Sequence, residues 1–316
     1  MRDTERLPFE TVDSTATWAK KILTKSNIPD ARLESQLLLA LALDVSRLSI
    51  IAGTCPPPDA VQQKRFIELV EARIRHIPFA YLRGTQEFYG LTFTVSHAVL
   101  IPRPETELLV DFALEKLSEL KSAKRSVGVE NSTDARHILN FADNEMMPMI
   151  ADVGTGSGCI PIAVLANFPT VCAIASDISG DALAVARRNA AANEVVNRLR
   201  FVRTDLLSAV GETKFALIVS NPPYIPTAEI DTLQPEVRDS EPRAALDGGS
   251  DGLDFYRRLI VQAVWTLLPG GWLAVEVGQG QAADVSALMG CAGLSEIEIQ
   301  NDLAGIARVV YGRRSF

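Results

Sequence analysis

The chain has 316 residues, enough for two domains, with 47% hydrophobic and 22% charged residues, the composition of an ordinary globular protein with ample material for a core. Its formal net charge of -8 and pI near 5.1 argue against a surface built to grip a DNA duplex, whose phosphates demand clustered Lys and Arg. Four cysteines without CxxC spacing, three histidines and no HExxH segment argue against a disulfide scaffold and a zinc or iron site, so no metal is expected.

Met1 to Pro8 is charged and lacks an apolar centre, so no signal peptide is expected. The longest clean apolar run, Leu37 to Leu43, is too short to span a bilayer, and the cytoplasm is the expected location. From Thr15 to about Arg75 apolar residues recur at helical spacing, first Leu33, Leu37, Leu38 and Leu41, then Phe66, Leu69, Val70 and Ile74. Cys55-Pro-Pro-Pro58 separates the two stretches. A small helical bundle is expected, open between plain packing and recognition of a substrate. At Phe88 the period changes, and Phe88, Leu91, Phe93 and Val95 around Gly90 read as a short hairpin or extended connector. A helix is expected from about Glu105 to Leu120, followed by a polar loop or insert from Lys121 to Glu145.

After Met149 strands and helices alternate. Strands are expected at Ile150–Val153, Val171–Ser176, Leu199–Val202, Phe215–Val219 and Trp272–Val277, with helices at Cys159–Asn167, Asp181–Asn193 and Leu253–Leu268. That order predicts an α/β fold with a parallel sheet covered on both faces.

Asp152-Val-Gly-Thr-Gly-Ser-Gly158 lies where a strand passes into a helix. Gly154, Gly156 and Gly158 permit a tight turn and a close ligand, and the helix start offers unpaired N–H groups. The spacing is GxGxG, not the GxGxxG that receives a pyrophosphate, and it resembles S-adenosylmethionine sites. There Asp152 is expected to hold the methionine ammonium, directly or through water. Asp177 ends the next strand, placed to accept both ribose hydroxyls, and Asp205 follows the third, placed to accept from an adenine amino group. Taken singly, each aspartate reads equally as a helix cap. Three in order at successive strand ends favour a cofactor site.

Strand Phe215–Ser220 runs into Asn221-Pro-Pro-Tyr224. Methylating an amide or aryl-amine nitrogen requires freeing a delocalised lone pair, and acceptors for the two N–H hydrogens do this. The Asn221 side-chain oxygen and the Pro222 carbonyl are expected to be those acceptors, with Pro222 and Pro223 fixing the backbone and Tyr224 stacking on the flat substrate group. Positioning and preorganised dipoles suffice for the rate, with no strong base. Alone, the motif also fits a rigid Pro-Pro turn. Gly248-Gly-Ser-Asp-Gly252 matches the hydrolase elbow GxSxG, but no strand pattern precedes it and no histidine follows His137. It is expected to be a flexible, helix-capping loop.

These motifs, with Leu100-Ile-Pro-Arg-Pro-Glu-Thr-Glu107, Pro235-Glu-Val-Arg238, Glu241-Pro-Arg243 and Leu246-Asp-Gly-Gly249, resemble the peptide chain release factor glutamine methyltransferase family over nearly the whole chain. The resemblance implies a helical substrate-recognition domain at 1–82, a hairpin connector at 83–104 and, at 105–316, a seven-stranded Rossmann-like class I methyltransferase domain. It implies that S-adenosylmethionine is lined by Gly154, Thr155, Gly156, Ser157, Gly158, Asp177 and the Asp205–Leu206 pair, with Asn221 bordering it. It implies that Asn221, Pro222, Pro223 and Tyr224 hold the glutamine of a Gly-Gly-Gln loop in a release factor, the protein substrate. The alternatives are an N(6)-adenine nucleic-acid methyltransferase, since adenine also presents a planar NH2, and a non-catalytic factor-binding module. Direct duplex-DNA binding and membrane partners are not expected.

Overall fold

The computed structural model describes residues 9–127 and 147–315, and most of the expected polar insert Lys121 to Glu145 lies outside them. The described residues form two compact units, one reaching to Gly84 and including Gln234–Ser240, the other holding Thr85–Leu233 and Glu241 onward. No helix among the described residues is long and apolar enough to cross a membrane.

The first unit is helical: α1 (Val12–Lys25), α2 (Ala31–Leu43), α3 (Arg47–Ala52), α4 (Ala60–Ile74) and α5 (Phe79–Arg83). The start of α4 shows why. Asp59 Oδ1 accepts the Gln62 N–H at 2.8 Å while Gln62 Oε1 accepts the Asp59 N–H at 3.0 Å, so two orphan donors are satisfied reciprocally. Leu23, Leu38, Leu39 and Phe66 fill the core, and Phe9 and Trp18 meet edge-on at 5.4 Å. Arg73 is buried; its Nε donates to Glu34 at 3.0 Å and its Nη2 to Glu236 at 2.6 Å. Glu236 belongs to the short helix α9 (Pro235–Ser240), so this pairing holds a segment from late in the chain to the bundle.

The second unit begins with the antiparallel hairpin β1 (Thr85–Phe88) and β2 (Leu91–Thr94). Helix α6 runs over Glu107–Val127, so the first residues of the expected polar insert continue it instead of forming a loop. Then come β3 (Met149–Val153), α7 (Cys159–Asn167), β4 (Cys172–Asp177), α8 (Gly180–Ala192), β5 (Leu199–Arg203), β6 (Phe215–Ser220), α10 (Asp254–Thr266), β7 (Leu267–Glu276), α11 (Ala282–Cys291), β8 (Leu294–Asn301) and β9 (Ala307–Arg314). The seven-stranded sheet has the order β5-β4-β3-β6-β7-β9-β8. Strands β3 to β7 are mutually parallel, but β9 is antiparallel to β7 and to β8. The sheet is therefore mixed, a correction to the expected parallel one.

Alternation sorts the central strand residues to two faces. Ile150, Leu217, Val219 and Ala274 pack in one layer with α6 and α7, while Ala151, Ile218, Leu273 and Val275 pack in the other with α10 and α11. Both faces are covered, which explains the nearly continuous apolar strands. From β3 the chain winds outward through β4 to β5 and then returns to β6 on the other side of β3. This reversal leaves a crevice beyond the carboxyl ends of β3 and β6, where ligands bind in open α/β sheets.

Candidate active site

That crevice holds a cavity of about 220 Å³. The glycine-rich turn, Asp177, Asp205–Leu206 and the Asn-Pro-Pro-Tyr turn all leave carboxyl ends of strands on this rim. Gly154, Thr155, Gly156 and Ser157 line the cavity, as do Asp177, Asp205, Leu206, Asn221 and Pro223. Asp152, Gly158, Pro222 and Tyr224 are not among its lining residues.

The glycine-rich turn is held by its neighbours in the sheet. The N–H groups of Gly154 and Thr155 donate to the Ser176 carbonyl at 2.9 and 3.0 Å. Gly156 N–H donates to Asp177 Oδ2 at 2.9 Å, and Ser179 N–H to Asp177 Oδ1 at 2.8 Å. Ser179, not Asp177, supplies the side-chain cap of α8, accepting from Ala182 N–H at 3.2 Å. Asp177 thus shapes the turn and keeps lone pairs for a ligand. Burial raises its carboxyl, and the backbone donors Ser179, Gly156 and Ile178 oppose this. Gly158 has φ +80°, and a Cβ there would come 2.9 Å from Ile162 Cδ1 and 3.1 Å from Ala186 Cβ, so α7 and α8 close on it. Asn189 joins this turn to the hairpin, donating to the carbonyls of Ser157 at 2.8 Å and Thr94 at 3.0 Å.

Asp152 is fully buried, and neither of its carboxyl oxygens has a hydrogen-bond partner; nor does the buried Thr155 hydroxyl. Burial pushes the Asp152 carboxyl up to about 7; the Asp177 charge adds to this, and the neighbouring Thr155 hydroxyl, close but not in hydrogen-bonding geometry, opposes it. Orphaned acceptors next to a glycine-rich turn suit a cationic, hydrogen-bonding ligand. At the other end of the cavity Asp205 is paired with Arg258. Leu206 follows with φ +54° and is buried, an unusual conformation for a branched-chain residue, held at the cavity wall.

Asn221 stands at the end of β6. Its Nδ2 donates to Thr106 Oγ1 at 3.0 Å, and the Thr106 hydroxyl donates to Glu276 Oε2 at 2.6 Å. The Tyr224 hydroxyl donates to Glu276 Oε1 at 3.5 Å, and burial pushes that hydroxyl above its usual range. Gln281 Nε2 donates to the Tyr224 carbonyl at 2.8 Å.

The segment Leu246–Gly252 caps a helix, since the Gly248 carbonyl accepts the Asp254 N–H at the start of α10 at 3.1 Å, and it also braces the Asn-Pro-Pro-Tyr turn. Ile225 N–H donates to the Leu246 carbonyl at 3.0 Å, and Gly248 N–H to the Ile225 carbonyl at 2.9 Å. A Cβ on Gly248 would lie 2.8 Å from Tyr224 Cα, so its glycine lets this segment press against the Asn-Pro-Pro-Tyr turn.

Sequence reasoning assigned no role to Thr106, Glu276, Gln281 or Arg103. Arg103 borders the cavity and is paired at 2.5 Å with the buried Glu241. Glu276 had one legible signal, a lone acid in the apolar strand Leu273-Ala-Val-Glu-Val277 at the end where ligands bind.

Asp177→Ala removes two charge-assisted contacts available to a ribose, each worth roughly 1.5–3 kcal/mol, and loosens Gly156. Calorimetric titration with S-adenosylmethionine is expected to show a loss of affinity of about a hundred-fold or more. Unchanged binding would remove Asp177 from the site.

The comparisons agree on both units. Residues 15–84 match the PrmC N-terminal domain and residues 133–237 the Methyltransferase small domain. A release factor glutamine methyltransferase of Geobacter sulfurreducens is 38% identical over 98% of this chain and 99% of its own. One from Bradyrhizobium diazoefficiens is 39% identical over 97% of each chain, and one from Chlorobaculum tepidum 40% identical over 88% of each. Among solved structures, the hMettl16 catalytic domain in complex with a MAT2A 3′UTR hairpin superposes with TM-score 0.52 at 13% identity, over 71% of this chain and 76% of that one. At that identity it supports the class I methyltransferase fold alone. The identity of the relatives, sustained across both units, shows that the chain belongs to the release factor glutamine methyltransferase family.

Proposed function

We propose that the protein transfers a methyl group from S-adenosylmethionine to the side-chain amide nitrogen of the glutamine in the Gly-Gly-Gln loop of peptide chain release factors. Bound at the glycine-rich turn, S-adenosylmethionine supplies an electrophilic methyl on its sulfonium. Asp177 accepts from the ribose hydroxyls, Asp152 and Thr155 take the methionine ammonium, and Asp205 with Leu206 borders the adenine. Gly154, Gly156, Ser157 and Gly158 shape this cradle.

The observation that carries the chemistry is the orientation of Asn221. With its nitrogen committed to Thr106, its oxygen is left to accept from the substrate NH2. The Pro222 carbonyl, held rigid by Pro222 and Pro223, accepts the second hydrogen. Two acceptors twist the lone pair out of conjugation and aim it, and the nitrogen proton becomes acidic only after attack and then leaves to solvent. Tyr224 flanks the acceptor amide, its hydroxyl tied to Glu276. The helical unit reads the protein partner. An N(6)-adenine substrate is less favoured, given the net charge of -8 and the relatives' sustained identity.

Incubation with labelled S-adenosylmethionine, release factors and DNA in parallel tests this. One methyl on the Gly-Gly-Gln glutamine is expected, with none on DNA and none on a release factor lacking that glutamine. Label on adenine with release factors untouched would overturn the proposal.

A further inference from the structure

Glu276 takes no direct part in the chemistry above, yet it is 2% exposed and ends β7 beside the Asn-Pro-Pro-Tyr turn. Its Oε2 accepts the Thr106 hydroxyl at 2.6 Å, and Thr106 Oγ1 accepts from Asn221 Nδ2 at 3.0 Å. A hydroxyl has one hydrogen. Once Thr106 gives it to a carboxylate, it can only accept from Asn221. The two ends of an asparagine amide are nearly equal in shape, so packing does not select which one faces the substrate; hydrogen bonding does.

We propose that Glu276 and Thr106 are positioning residues whose hydrogen-bond relay holds Asn221 with its carbonyl oxygen toward the acceptor NH2, and that protonating Glu276 releases the amide. This rests on the reading of Asn221 given under the proposed function. The relay joins three separate parts of the chain: the turn before α6, the end of β6 and the end of β7.

Burial pushes the Glu276 carboxyl up to about 7, with the Thr106 bond opposing; nearby Glu105 raises it further, while Arg308 and the Tyr224 hydroxyl lower it. The Tyr256 hydroxyl donates to the Glu276 main-chain carbonyl at 2.8 Å, and the buried Cys159 thiol also feels the Glu276 charge. The sign is fixed. Above about pH 7 the carboxylate can only accept, and the relay runs from Asn221 toward Glu276. Below it, the protonated carboxyl can donate to Thr106, whose own hydrogen then turns to Asn221 and draws the amide oxygen away from the substrate. Turnover is lost as pH falls through about 7. Asp152 ionises in the same range, so turnover is read at saturating cofactor and against a variant that changes Glu276 alone.

The experiment compares wild type, Glu276→Gln, Thr106→Val and Thr106→Ser on a release factor. Glu276→Gln and Thr106→Val are expected to lower kcat by about tenfold or more with cofactor affinity near wild type, because a preorganised acceptor has been turned away. Thr106→Ser keeps the hydroxyl and recovers most of the turnover that Thr106→Val loses. The wild-type acid limb near pH 7 is absent from Glu276→Gln. A readout independent of methyl transfer is the Asn221 side-chain amide in a nitrogen–proton correlation spectrum, identified by its loss in Asn221→Ala. It is expected to move with pH around 7 in wild type and to stay still in Thr106→Val and Glu276→Gln. A wild-type chain that labels no release factor overturns the substrate reading alone, since this resonance still decides the relay. Should Glu276→Gln fail to bind cofactor, Thr106→Val carries the comparison. Wild-type kcat in Thr106→Val, or an Asn221 amide indifferent to pH in the wild type, would sink the relay.

Discussion

Asn221→Ala is expected to lower methyl transfer by about 10²–10³-fold, the effect of deleting one preorganised polar group from a transition-state site. The carbonyl lost is the only side-chain acceptor assigned to the substrate nitrogen, and no general base stands behind it. Truncation leaves the fold nearly untouched, because Thr106 still donates to Glu276 and the Tyr224 end of the turn keeps its bond from Gln281. Cofactor affinity is expected to remain near wild type, since the glycine-rich turn hangs from Ser176 and Asp177. Single-turnover kinetics with saturating S-adenosylmethionine, paired with calorimetry, separate the two effects. Wild-type turnover would remove Asn221 from the chemistry; a parallel collapse of cofactor binding would move it to the cofactor site.

Asp152→Asn is expected to do the reverse: a more stable cofactor-free protein that binds cofactor poorly. An unfolded aspartate loses its proton near its ordinary value of 3.8, whereas buried Asp152 keeps it to about 7. Raising the pH between those values therefore takes a proton from the unfolded chain first and favours unfolding. The full penalty is present above pH 7 and amounts to roughly 4 kcal/mol. An asparagine escapes the charge but leaves a buried amide short of partners, at about 1–3 kcal/mol. The net gain at pH 8 is then about 1–3 kcal/mol, several degrees in melting temperature, and it vanishes by pH 5. Binding suffers because a neutral amide repels or ignores an ammonium. Melting curves of both proteins at pH 5 and pH 8, without cofactor, decide it. A variant less stable than wild type by the same margin at both pH values would mean that Asp152 carries no buried-charge penalty.

Several features of the site were legible in the sequence because each is local. A glycine-rich segment between a strand and a helix announces a ligand turn whatever surrounds it. Aspartates at the ends of successive strands fall on one rim because parallel strands share a direction. Asn221 to Tyr224, following a buried strand, belong to the same rim for the same reason. The helical bundle was legible from its period, and the central strands from apolar runs bounded by turns.

The outer part of the sheet was not. Strand β8 alternates apolar residues with Glu296, Glu298 and Gln300, and among the described residues it pairs only with β9 at the sheet's edge. Its half-exposed pattern carries less signal than a buried run, and the antiparallel turn of β9 depends on where it meets β7. The residues by themselves mark five strands, and the count of seven comes from the family resemblance alone. The helix α9 likewise has no sequence period that assigns it to the bundle; its place rests on Arg73 reaching Glu236, 163 residues away.

What the sequence determined by itself is the chemistry available: an acid-edged glycine turn for a nucleoside-like cofactor and a rigid carbonyl-bearing turn for a planar NH2. What only the tertiary structure decided is which atoms face that chemistry. Thr106 and Asn221 are separated by 115 residues and Thr106 and Glu276 by 170, so no spacing rule connects them. The orientation of the Asn221 amide, the orphaned oxygens of Asp152 and the pressing of Gly248 against Tyr224 arise only when the sheet closes. Burial and hydrogen-bond direction belong to the assembled interior; a residue's type sets what it can donate or accept, and the fold sets to whom.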